Sequence, residues 1–455
     1  MLATPELIEE SAQRAKLNAV LPRWLSEVPL YRKSARTAAF TADGTVGSPD
    51  GLPFITKADI RRGFPKNFLR DGIELDDLLD GDLVELEHTS GTSEQRTPLL
   101  LARGWWLEQE ARALRRNCFV NRVLDELPEA RRVTISSPVC NGEVCYTGVP
   151  ALADRMVGRT LFASLSRQPF LWSDDDLARI VRETLDWRPQ FLDVDPVYGV
   201  VLARYCERNG IRLSSLRFVL ASYEFVSVVH RRLMERVFGV PVFNLYGSTE
   251  TGHLLMETGD GYGRGGASAE RRHLSPEMTA ALARDATTNT VREMAPSYET
   301  ALLEVIDVDS QGIGELVVTT LTNDFMPLLL YRIGDLVERS TTPYQTRYRL
   351  HGRAADAVGR SDGTRTTVWQ VDQCFAGLDG VAHYQLRQSA AGGWGLWIVP
   401  DGNGPTREAL AELKFRLDRA LDAAGRMTIH TTDALLPESS GKFRLVYPAE
   451  PFRHA

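Results

Sequence analysis

The feature that most limits what this chain can become is an alternation of short β-branched runs and helical patterns between residues 130 and 246. Arg132–Ser136 is a β-branched run, and Asp174–Asp186 sets Leu177, Ile180, Val181 and Leu185 at helical spacing. Gln190–Val194 reads as a strand, and Val197–Arg208 as a helix closed by Asn209-Gly210. Arg217–Ala221 is a strand, Val228–Phe238 a helix closed by Gly239, and Val240–Tyr246 a strand again. Strands separated by helices pair side by side and in parallel, through right-handed crossovers. The expected class is therefore α/β with a mainly parallel sheet, whose ligands sit beyond the carboxyl ends of the strands.

The 455 residues exceed what one hydrophobic core usually supports, so two or more domains are expected. The pattern changes after residue 300, where Leu302–Val308, Gln311-Gly312 and Glu315–Thr320 read as a hairpin. Strands near His383–Arg387 and Trp394–Val399, then a helix from Thr406 to Ala424, make a separate α+β unit. With its boundary near Gly352–Asp356, the division is a large N-terminal domain, 1–352, and a small mobile C-terminal domain, 353–455. The first 50 residues read as helix and polar loop, Asp82–His88 as a β-leaning segment, and Gly259–Thr300 as an insertion or mobile loop.

Composition excludes several classes. The formal net charge is −7 with no clustered basic face, which argues against nucleic acid and anionic membranes as partners. Charged residues interrupt Met1–Leu21, so it reads as neither a signal peptide nor an anchor. Five scattered cysteines fit reduced thiols in a cytoplasm better than a disulfide framework.

Four segments carry chemistry. Thr89-Ser90-Gly91-Thr92-Ser93 is a hydroxyl-rich glycine turn; its amides and OH groups can wrap a polyphosphate, or it is a plain loop. Tyr246-Gly247-Ser248-Thr249-Glu250 ends a buried strand: an aromatic for a base, a glycine for close approach, a carboxylate for Mg²⁺. An ordinary turn with a solvated glutamate has the same composition. Tyr331-Arg332-Ile333-Gly334-Asp335 ends another apolar run with a carboxylate able to accept ribose hydroxyls. Leu436–Lys442 is a small-residue loop with one lysine, of a kind that is often merely solvated.

In this order and spacing the segments resemble the adenylate-forming superfamily of acyl-CoA synthetases, carrier-protein adenylation domains and luciferases, in its phenylacetate–CoA ligase-like branch. The Gly352-Arg353-Ala354-Ala355-Asp356 hinge, the Ser440-Gly441-Lys442 loop and the Pro53–Lys57 entry segment extend the resemblance over nearly the whole chain. It implies ATP, Mg²⁺ and a carboxylic acid as ligands, coenzyme A or a carrier protein as acceptor, and a dimer as a common assembly. Residue by residue it implies that Ser90, Gly91, Thr92 and Ser93 hold the β- and γ-phosphates. Ser222, Tyr223 and Glu224 line the adenine, and Tyr246, with Gly247 and Ser248 after it, packs on the base. Thr249 contacts the α-phosphate, Glu250 binds Mg²⁺, Asp335 holds the ribose, and Arg353 sits at ribose and hinge. Lys442 bridges the carboxylate and the α-phosphate.

The chain departs from that pattern in places. The phosphate loop continues Glu94-Gln95-Arg96 where the family has Gly-Lys-Pro, and Ala355 stands where it has Asp or Lys. The second departure falls on thioester formation, so a carrier-protein thiol, an amine, or an oxyacid such as nitrite enters as an alternative. A degenerate nucleotide-binding protein is a third reading. Asp193 and Asp195, at the end of a buried strand, either receive an amino group on an aryl or short acid, or are solvated or paired with an arginine. Cys140, Asn141 and Tyr146 are expected to face the acid as well.

Overall fold

A computed structural model describes residues 5–32, 52–89, 96–138, 151–164, 166–259, 293–342, 344–423 and 425–450. The chain divides into two compact units. The first comprises Met1–Arg116, Tyr246–Met256 and Glu293–Arg349; the second comprises Asn117–Leu245, Glu257–Arg292 and Leu350–Ala455.

The first unit is built on antiparallel strands. Ala301–Ile306 and Ile313–Thr320 form the expected hairpin, and Tyr331–Thr341 pairs on its far side. The N-terminal helix Pro5–Glu27 is tied down by Gln13, which donates to the carbonyls of Tyr298 and Ala301 at 3.0 and 2.7 Å. Such bonds to strand-end carbonyls satisfy groups that burial would otherwise strand. Val84–His88 pairs antiparallel with Pro98–Ala102. Near Tyr331 the entry segment adds one parallel bridge: Ile55 donates to Leu330, and Arg332 donates back to Ile55. That bridge fixes where Lys57 starts the short helix Lys57–Arg61.

The second unit holds the predicted parallel sheet. Thr160–Phe162, Arg132–Ile135, Phe191–Val194, Phe218–Ala221 and the start of Val242–Ser248 lie side by side in parallel. Phe191–Val194 and Phe218–Ala221 are buried at every position, as expected of strands covered on both faces. Each following helix starts on a capping side chain. Ser173 caps Asp174–Trp187, Asp195 caps Pro196–Arg208 and Ser227 caps Val228–Phe238. A cap of this kind stabilises by about 1 kcal/mol.

The last hundred residues form a four-stranded sheet. Val381–Gln388 and Trp394–Pro400 pair antiparallel, flanked in parallel by Val446–Tyr447 and Met427–Thr431. The helix predicted to reach Ala424 stops at Ala420, because Asp422 turns to positive φ and its carboxylate is taken by Arg360. Gly352 also has positive φ, and a Cβ there would lie 2.7 Å from Val368 Cβ, so only glycine makes this turn.

Candidate functional site

Two constellations carry the sequence-predicted residues, one in each unit. In the first unit, Gly247 approaches the returning chain so closely that a Cβ would stand 2.2 Å from the Gly252 carbonyl oxygen. The turn is closed by the Thr251 amide on the Ser248 carbonyl at 3.1 Å, with the two hydroxyls of those residues 3.0 Å apart. Thr249 is left half-buried at its crest, and Glu250 is turned inward with 4% of its surface exposed. Lys57 Nζ and the Tyr331 hydroxyl both reach Glu250 Oε1 at 2.9 Å. Burial alone would raise this carboxyl, but the Lys57 ammonium holds it down to about 2. Asp335 is also buried, and Tyr246 donates its hydroxyl to Asp335 Oδ2 at 2.7 Å. The sequence named Glu250, Tyr246 and Asp335, but it gave Lys57 no role and did not pair Tyr331 with Glu250.

In the second unit, Asp193 and Asp195 close the strand Phe191–Val194, and both are buried. Ser222 Oγ donates to Asp193 Oδ1 and the Tyr223 hydroxyl to Oδ2, each at 2.8 Å. Asp193 is thus engaged by two of the residues assigned to adenine. Tyr223 adopts φ +71, a conformation that costs a non-glycine residue about 1–3 kcal/mol and is held only where surroundings fix it. Here its hydroxyl supplies that hold, while the residue stays 40% exposed. Asp195, 2% exposed, accepts the Val197 amide at 2.9 Å as the helix cap. Burial pushes its carboxyl up to about 7, against the Val197 and Tyr198 amides and the charge of Lys442. Glu224 is pushed well above the ordinary carboxylate range, first by burial and then by Asp195, with Lys442 opposing. Lys442 therefore lies in an acidic neighbourhood made by the ends of two adjacent parallel strands.

Arg353 is exposed and acts by charge on Asp356, which is buried and paired with Arg444 at 2.5 Å. The phosphate-loop residues Ser90, Gly91, Thr92 and Ser93, and the acid-facing residues Cys140, Asn141 and Tyr146, lie outside the described residues. Thr89, just before that loop, is buried and accepts the Thr97 amide at 3.0 Å, which closes the hairpin around it. Among the described residues there is no group of three or more His, Cys, Asp or Glu placed to hold a metal, and no helix long and apolar enough to cross a membrane.

This architecture, mixed α/β with a parallel-rich sheet, is the fold of the adenylate-forming acid ligases. The 2-hydroxyisobutyryl-CoA ligase in its postadenylation state, in complex with R3-HIB-AMP, superposes with a TM-score of 0.66. That likeness covers 96% of this chain and 89% of the other at 16% identity. The anthranilate CoA ligase AuaEII in complex with anthranoyl-AMP gives 0.51, over 85% and 74%, at 14% identity. In sequence, the chain is similar to the phenylacetate-coenzyme A ligase of Thermus thermophilus, 27% identical over 210 residues. That match spans 44% of this chain and 42% of the relative, less than half the length of each. No family model matches the chain.

Proposed function

We propose that this chain activates a carboxylic acid with ATP as an acyl-adenylate and transfers the acyl group to coenzyme A. A carboxylate oxygen attacks the α-phosphorus, the bond to the bridging oxygen breaks, and pyrophosphate leaves with the electron pair. The thiol then attacks the acyl carbon, AMP departs, and the thiol proton is released. The observation that carries the reading is the seat of the Lys442 loop at the strand ends: Glu224 Oε1 accepts the Phe443 amide at 2.7 Å, and Asp195 and Glu224 both feel the Lys442 charge. An ammonium there counters charge that builds where a carboxylate meets a phosphate.

The remaining roles follow the motifs. Asp335 and Tyr246 would take the ribose and base, and Thr249 the α-phosphate, with Ser90–Ser93 on the outer phosphates. Glu250 fits Mg²⁺ that arrives with a nucleotide, since that ion commonly uses one or two carboxylates plus phosphates, and Lys57 keeps this carboxylate ionised. When bound, Mg²⁺ would neutralise phosphate charge; Lys57 has to yield Oε1 or share it. The division at 352/353, with a mobile C-terminal domain, belongs to the same proposal.

For the substrate class we propose an acid bearing an amino group on an aryl or short frame. Burial raises both Asp195 and Glu224 beside one ammonium, so a cation arriving on the substrate would favour their charged forms. Asp193 is already engaged by the hydroxyls of Ser222, Tyr223 and Thr134, which leaves Asp195 as the recognition residue. Acid-dependent ATP–pyrophosphate exchange across amino and desamino acids tests both levels. Exchange with no acid overturns the activity; equal preference in wild type and Asp195→Asn overturns the amino-group reading alone.

A further inference from the structure

The loop that carries Lys442 is held within the second unit by several contacts. Its turn closes on itself, with the Glu438 amide on the Lys442 carbonyl and the Gly441 amide on the Glu438 carbonyl, both at 2.8 Å. Arg167 donates to the Ser439 carbonyl at 3.0 Å. Gly441, at φ +86, backs onto Ser137, whose Oγ would stand 2.7 Å from a Cβ. Phe443 is buried, and its ring meets Phe170, Tyr198 and His383 edge-on at 6.0, 6.4 and 5.6 Å. One hold differs in kind from these: Glu224 Oε1 accepts the Phe443 amide at 2.7 Å, while its charge acts on the Lys442 ammonium.

We propose that Glu224 is a positioning residue for Lys442: its ionised carboxylate seats the loop through the Phe443 amide and steers the ammonium, and its neutralisation loosens that seat. The family resemblance would place this glutamate at the adenine; the geometry gives it the neighbouring lysine loop instead. The charged groups facing it are Asp195 and Glu438, which oppose its ionisation, and Lys442, which favours it. Desolvated within a half-buried position and flanked by Asp195, the carboxyl is raised, so the seat strengthens as pH rises. The inference rests on the reading that Lys442 acts on the acid, and its test separates the two.

Glu224→Gln keeps the acceptor and the shape and removes the charge; Glu224→Ala removes both. Two readouts apply to the full-length protein: acid-dependent ATP–pyrophosphate exchange, and the rate at which an acetylating reagent modifies Lys442 relative to exposed Lys66, followed by peptide mass spectrometry. Lys442 acetylation should rise severalfold in both variants, because an unseated amine is more accessible to the reagent. The exchange kcat should fall about tenfold in Glu224→Gln, the size of one charge-assisted hydrogen bond, with KM for ATP unmoved and a flatter pH profile. Unchanged acetylation in both variants would overturn the proposal. So would a rise in KM for ATP with kcat held, which is what an adenine contact predicts. A wild type that performs no exchange defeats the functional reading, and the acetylation arm still decides whether Glu224 seats the loop.

Discussion

Glu250 in the first unit and Asp195 in the second are carboxylates of nearly equal burial, 4% and 2% exposed, and they end on opposite sides of their ordinary value. Glu250 is held near 2 and Asp195 rises to about 7. The difference is the partner. Glu250 touches an ammonium and a phenol at 2.9 Å, so its charged form is compensated where it sits. Asp195 accepts a helix-start amide, and the Lys442 ammonium acts on it through charge. Burial penalises both charges, and a contact cation decides which one survives. Under the proposed function, the first constellation would present a fixed negative charge, and the second carboxyls whose charge depends on a cation beside them.

The comparison can be broken most forcefully at Lys442. Lys442→Ala should lower acid-dependent exchange by roughly 10²–10³ while nucleotide binding is retained, on the scale of losing one donor at developing charge. Equal exchange in the variant would remove the lysine from the chemistry.

Asp195→Asn sharpens the second half. The variant keeps a cap acceptor and carries no charge. A folded-state carboxyl raised to about 7 contributes stability that is present below its ordinary range and lost as pH rises through 7. Relative to pH 4, the variant should therefore gain on wild type by about 2–4 kcal/mol at pH 8, measured by urea unfolding. A constant difference across that range would mean that Asp195 is not raised.

Lys57→Met tests the first half with the opposite sign. Glu250 contributes stability above its ordinary value, and that contribution fades as pH falls through about 2. The variant should lose about 1–3 kcal/mol at pH 7, less than a fully buried pair because Lys57 is partly exposed, and the loss should shrink below pH 4. A loss independent of pH would point to packing alone. The smallest effect is expected from Tyr246→Phe, which removes one hydrogen bond to Asp335 and should cost about 1 kcal/mol of stability. A change in KM for ATP in that variant would add evidence that the pair faces the ribose.

Much of this was legible in the chain. The parallel strands and their helices follow from period and helix closures: Asn209-Gly210, Gly239 and the apolar stripe of Asp174–Asp186 are local signals, and the structure adds the N-caps Ser173, Asp195 and Ser227. The motif residues Glu250, Asp335 and Lys442 were found because each ends a recognisable segment. The partner of Glu250 was not, since Lys57 lies 193 residues away in sequence and arrives through a single bridge between Ile55 and Tyr331. The same holds for Glu224, whose side chain finds a backbone amide 219 positions further on. A backbone amide has no residue signature at all.

The sequence by itself determined the α/β class, the strand-end placement of the motifs and the resemblance they carry, because these depend on spacing of three or four residues and on turn chemistry. Only the tertiary structure decided which carboxylates are charged. Protonation depends on burial and on the nearest cation, and both are set by contacts between segments that the chain keeps far apart.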